Sequence, residues 1–272
     1  MLITDQIIFF ELQKTGCTHT RRILSTLYAD NHQIIGKHNA YDTVPKKVLG
    51  DFEGKTKVGN IRNPWDWYIS LWAYGCQHRG GLYRRVALNN YLFLFSKKRF
   101  LDLINTGPYG RYPKLDTQLW QQVYSDVNNY ENFNAWLKLV LQSKEHGIGE
   151  GFKIGNISQF AGLMTFRYFQ LYAYRKKLNS VHSLKELRDF DQKENFMDVI
   201  IRNENLHSDL LENVDKLKCS QEELTKVLGS FAKRTNTSER DKDYRKYYDE
   251  ESVKLVQQKE KFIIEKYGYS FG

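Results

Sequence analysis

The chain reads as an α/β protein, because three short apolar runs each lead through a polar or glycine-bearing loop into a helical pattern. The runs are Ile7–Phe10, Lys57–Ile61 and Phe196–Ile201, and the first has the length and composition of a buried parallel strand. At 272 residues the chain is long enough for one α/β domain with a sizeable core, so residues 1–272 are read as a single domain.

The first unit carries the most chemistry. Ile7–Phe10 runs into Lys14-Thr15-Gly16-Cys17-Thr18-His19-Thr20, after which Ile23, Leu24 and Leu27 fall on one helical face and Arg21 and Arg22 point elsewhere. Unpaired N–H groups at a helix start, threonine hydroxyls and a lysine ammonium then converge on one small volume, which describes an anion cradle. It is not a nucleotide-triphosphatase loop of the Walker kind, since Lys14 precedes the only glycine and no glycine lies upstream. Taken alone, the segment reads equally as an ordinary strand–turn–helix with a solvated lysine and a capping threonine.

The second unit shifts that balance. Lys57–Ile61 leads into Arg62-Asn63-Pro64-Trp65-Asp66-Trp67-Tyr68-Ile69-Ser70-Leu71-Trp72, where Pro64 suits the first helical turn and Ser70 lies about two turns in. Arg62, at the strand end, is read as having its guanidinium free for a bidentate contact with a phosphate.

Together, Lys14-Thr15-Gly16-Cys17-Thr18 and Arg62-x-Pro64 with Ser70 resemble the two signatures of sulfotransferases that use 3'-phosphoadenosine 5'-phosphosulfate, PAPS. The resemblance implies a three-layer fold with a central, mostly parallel sheet flanked by helices, akin to the P-loop NTPase fold. It implies that Lys14, Thr15, Gly16, Cys17, Thr18, His19 and Thr20 grip the 5'-phosphosulfate and that Arg62 and Ser70 hold the 3'-phosphate. Two positions depart from the pattern: Cys17 stands where the family has a second glycine, and Trp67 where it often has an arginine. Arg202-Asn203-Glu204-Asn205-Leu206 and a tyrosine-rich end, from Thr235 through Tyr244, Tyr247 and Tyr248 to Tyr269, resemble later family segments, closest to the carbohydrate-acting branch. In the family a late loop helps cover the cofactor, which makes Lys233 and Arg234 candidate phosphate contacts; a plain linker reads nearly as well.

The implied activity is in-line transfer of a sulfuryl group from PAPS to a hydroxyl or amine, with Lys14 stabilising the leaving oxygen and no metal required. The acceptor is expected to be a glycan or another hydroxylated metabolite, with no nucleic-acid partner. A P-loop small-molecule kinase and a catalytically silent basic binding module stay as alternatives.

Charge and cysteine usage set the wider frame. Forty-one basic against 32 acidic residues give a net charge of +9, which suits an anionic partner without choosing among nucleotide, glycan, nucleic acid or membrane surface. The 3 cysteines are far apart, lack metal-ligand spacing and follow no targeting segment, so a soluble cytoplasmic protein with free thiols is expected. No run is long enough to span a membrane, and oligomeric state has no sequence signal.

Along the rest of the chain, His32–Gly36 reads as a weak strand, followed by His38. In a doubly wound sheet the loop after such a strand faces the ligand crevice, which makes His38 a candidate general base for an acceptor hydroxyl; it reads otherwise as a surface histidine beside Lys37. Residues 75–120, broken by Gly80-Gly81, Gly107-Pro108 and Pro113 and carrying Tyr83, Tyr91, Phe93, Phe95, Tyr109, Tyr112 and Trp120, read as an insertion that recognises the acceptor or covers the sheet. Helices are expected over 131–141, 157–178, 204–214, 221–228 with a Ser220–Glu223 capping box, and about 244–266.

Overall fold

In the computed structural model, which describes residues 1–29, 31–88, 116–143, 148–153, 155–231 and 240–272, a five-stranded open sheet carries helices on both faces. The strands are β1 (Leu2–Ile3), β2 (Ile7–Phe10), β3 (Gln33–Ile34), β4 (Thr56–Ile61) and β5 (Val199–Arg202), in the spatial order β3-β1-β2-β4-β5. β2, β4 and β5 pair in parallel, whereas β1 is antiparallel to both β2 and β3. The sheet is therefore mixed, which corrects the expectation of a mostly parallel one. The reason lies in Thr4, whose Oγ1 accepts the N–H groups of Gln6 and Ile7 and reverses the chain so that Leu2 faces Phe9 across a hairpin.

All of β2 is buried, and its side chains alternate between two cores. Ile7 and Phe9 join Val58, Val199 and Ile201 under helices α1 (Cys17–Leu27), α6 (Leu206–Glu212) and α7 (Gln221–Ser230). Ile8 and Phe10 join Ile61 under α2 (Pro64–Cys76), α3 (Tyr130–Leu141), α4 (Leu163–Tyr172), α5 (Leu184–Glu194), α8 (Glu250–Lys259) and α9 (Lys261–Tyr267). This is the three-layer α/β arrangement in which a strand buried on both sides reads as one continuous apolar run. Among the described residues no helix is long and apolar enough to cross a membrane.

Two expected helices are each divided twice, and one buried carboxylate sits at a break in each. The pattern over 157–178 is broken at Ala161 and Gly162 and again at Ala173, all extended, and the closing pattern at the extended Tyr248 and Asp249 and again at Glu260. Glu260 is fully buried and accepts the N–H groups of Met164 (3.0 Å) and Thr165 (2.9 Å), the Thr165 hydroxyl (2.6 Å) and the Tyr68 hydroxyl. It thus caps α4 from 100 residues away, and a Cβ on Gly162 would collide with it. Of the 75–120 insertion, residues 89–115, with Tyr91, Phe93, Phe95, Tyr109 and Tyr112, lie outside the described residues; Tyr83 and Trp120 are buried in the core.

Glu260→Ala strands four buried donors at once and should lower unfolding stability by roughly 3–5 kcal/mol. Urea denaturation measures this directly, and a loss under about 1 kcal/mol would contradict the capping role.

Candidate functional site

The parallel strands point the same way, so their C-terminal ends open on one edge of the sheet. β3 is antiparallel to β1, which is antiparallel to β2, so β3 also ends on that edge. Four chain segments therefore meet there: the loop after β2, residues 35–39, the turn after β4 and the turn after β5.

The loop after β2 is pinned by its carbonyls. Thr15 Oγ1 donates to the Leu12 carbonyl at 2.8 Å, Trp67 Nε1 to Gln13 at 2.6 Å and Arg62 Nη1 to Lys14 at 3.0 Å. With those oxygens held from one side, no hydrogen bond to another described residue takes the N–H groups of Lys14, Thr15, Gly16, Cys17 or Thr18. Lys14 and Gly16 are both left-handed, with φ of 63° and 79°, and the two together curl the loop into a concave row of donors. Only glycine serves at position 16, since a Cβ would also collide with the side-chain oxygen of Asn203.

Around this row stand cations. Lys14 Nζ lies 4.0 Å from the centre of the Tyr74 ring, and the Arg79 guanidinium lies 5.1 Å from the same ring. Burial first, then the neighbouring Arg62, Arg240 and Arg79 charges, bring the Lys14 ammonium down to about 8. Lys37 reaches the loop from the other side, 3.5 Å from Thr18 Oγ1. Lys14, Arg62, Arg79 and Arg240, with Lys37 beyond Thr18, bring five positive groups to a loop whose N–H groups no other described residue takes, an arrangement that suits an anion.

The remaining residues singled out from the sequence are placed as follows. Cys17 is buried at the start of α1, and burial pushes its thiol up to about 11, which favours the protonated form. Thr20 is fully buried and accepts from Asn60 Nδ2 at 3.0 Å, while the buried His19 ring lies against His207 and Phe231. Ser70 is buried two turns into α2. Arg62 is at the β4 end, but its fork is not free: Nε and Nη2 both bind Asp66 Oδ2, at 2.7 and 2.6 Å. Lys233 and Arg234 lie outside the described residues.

His38 stands on the same edge. Its backbone is left-handed, with φ of 59°, and Nδ1 lies 2.6 Å from the Glu11 carbonyl. A carbonyl only accepts, so Nδ1 carries the proton and Nε2 is left with its lone pair. Burial, outweighing the pull of Glu11, holds the imidazole below its usual pKa and keeps it neutral at pH 7. The Glu11 carboxylate is itself buried and engaged by the Met1 amine and Arg21.

Sequence reading missed Tyr74, Arg79 and Arg240. Tyr74 sits one turn beyond Ser70 on the same helical face, a spacing that was there to be read; Arg240 closes the basic stretch that begins at Lys233. Two surface cavities, one of about 290 Å³ beside Arg202 and Tyr267 and one of about 370 Å³ beside Glu150 and Gln170, include no residue of the loop. Among the described residues no cluster of three or more His, Cys, Asp or Glu is placed to hold a metal ion.

Sulfate keeps one charge state across neutral and alkaline pH, so its affinity should report Lys14 alone among these cations. It should be flat to about pH 7 and fall about tenfold per unit above 8 as the ammonium deprotonates, with Lys14→Met abolishing the slope. A flat profile to pH 9.5 in the unaltered protein would remove Lys14 from the cradle.

Set against protein-family models, curated proteins and solved structures, the chain has no significant match in any of the three comparisons.

Proposed function

We propose that the protein is a sulfotransferase that moves a sulfuryl group from PAPS to a hydroxyl or amine of an acceptor. The observation that carries this reading is the row of free N–H groups from Lys14 to Thr18, closed by Lys14 itself and flanked by Arg62, Arg79 and Arg240. Such a row suits the 5'-phosphosulfate, and the resemblance of its sequence to the family's first signature supports the choice. The cluster of arginines at the start of α2 suits a second phosphate, the 3' group that separates this nucleotide from ATP.

In this reading PAPS supplies the sulfuryl group, and the chain supplies charge and a base. Lys14 would stabilise negative charge on a departing phosphate oxygen, and the loop N–H groups would hold the same oxygens without reorganising. His38 Nε2, unprotonated and oriented through Nδ1, would accept the proton of the acceptor hydroxyl. Trp67 occupies the place of the family's arginine and holds the loop through Gln13 instead. The acceptor is a hydroxylated metabolite or glycan by resemblance alone.

Turnover of PAPS against a panel of hydroxylated acceptors tests the proposal. kcat should rise with pH as His38 loses its proton, below the ordinary histidine range, and fall above about 8 with Lys14. Lys14→Ala should reduce kcat by at least ~10²-fold with the fold intact. His38→Ala should abolish the acidic limb. Magnesium-dependent ATP consumption with no PAPS turnover would favour a kinase.

A further inference from the structure

Asp66 takes no part in the chemistry above, yet two of the arginines at the site bind it. Its Oδ2 accepts both Nε and Nη2 of Arg62, and its Oδ1 accepts Nη2 of Arg240, a residue 174 positions later in the chain. The three side chains are largely withdrawn from water, at 15%, 9% and 16% exposure for Arg62, Arg240 and Asp66. Arg62 Nη1 donates to the Lys14 carbonyl and Arg240 Nη1 to the Asp241 carbonyl, so the Asp66 carboxylate holds the fork of Arg62 and one end of Arg240. Two guanidiniums converging on the oxygens of one anion is the arrangement by which proteins hold a phosphate oxyanion.

We infer that Asp66 is a built-in counter-anion: its carboxylate fills a phosphate-binding place between Arg62 and Arg240 and thereby sets how strongly this chain distinguishes a nucleotide with a second phosphate from one without. A phosphate ester arriving there must displace the carboxylate or lie beside a like charge, and both weaken binding. Asp66 reaches the loop of residues 14–18 only through Arg62, which bonds the Lys14 carbonyl, so an anion held by the loop alone feels the carboxylate more weakly than one held between the two arginines. Removing the charge leaves two poorly hydrated guanidiniums without an internal counter-charge, and an external dianion then becomes their best one. The nucleotide part of the inference rests on the PAPS reading; the phosphate part does not.

The test compares the unaltered protein with Asp66→Asn, an isosteric change that keeps a hydrogen-bond acceptor, by calorimetric titration with inorganic phosphate, adenosine 3',5'-bisphosphate and adenosine 5'-monophosphate. Asp66→Asn should bind phosphate and the bisphosphate at least tenfold more tightly and the monophosphate within about twofold of the unaltered protein. Adding Arg240→Gln should cancel the gain. Asp66→Ser, equally uncharged, serves if the amide variant folds poorly. Unchanged or weaker phosphate binding, or no phosphate binding by either protein, overturns the inference. A gain for phosphate without nucleotide binding sustains it and removes the PAPS reading, while equal, tight bisphosphate binding by both proteins does the reverse.

Discussion

The site depends on two hydrogen bonds that run from the second strand–helix unit to the first. Trp67 and Arg62 donate to the carbonyls of Gln13 and Lys14, and Thr15 turns its hydroxyl back to Leu12. Three successive carbonyls are thereby held on one side of the loop, and the N–H groups that follow are left for the other. A peptide unit whose oxygen is fixed has its N–H fixed as well, because the unit is planar. The left-handed conformations at Lys14 and Gly16 are the backbone's response, and at Gly16 the Asn203 side chain leaves no room for anything larger. The cradle is thus a property of three parallel strands acting together, since Gln13, Arg62 and Asn203 each follow a different one.

The electrostatics follow from the same convergence. Burial, and after it the neighbouring Arg62, Arg240 and Arg79 charges, disfavour the Lys14 ammonium and bring it down to about 8. Aromatic support offsets part of that cost: Tyr74 lies beneath both Lys14 and Arg79. Asp66 offsets another part between Arg62 and Arg240. His38 shares the edge but is buried, and burial outweighs the pull of the Glu11 carbonyl toward the charged form, holding the imidazole below its usual pKa beside a cluster of positive charge.

What the sequence made legible was local. The strands read at 7–10 and 57–61, the helix opened by Pro64 and the Ser220–Glu223 capping box are each announced by adjacent residues, and each is found in place, β4 with Thr56 added at its start. What it hid was set at a distance. The two-residue β1 is a strand only because Leu2 and Ile3 find Phe9 and Ile8, and α4 starts at Leu163 because Glu260 reaches it. In the site, Lys14, Gly16 and Arg62 were legible from their motifs. That the fork of Arg62 is already filled by Asp66, and that Arg240 shares it, belongs to contacts that no spacing rule carries.

The central claim is that the loop N–H groups receive an anionic nucleotide, and amide chemical shifts read it most directly. In 1H–15N spectra of the uniformly labelled protein titrated with adenosine 3',5'-bisphosphate, the amides of Lys14 to Thr18 should show the largest displacements, moving downfield as they bond to phosphate oxygens, with Arg62 and Arg240 side-chain signals moving alongside. Displacements confined to other parts of the chain, with the amides of Lys14 to Thr18 unmoved at saturation, would contradict the account.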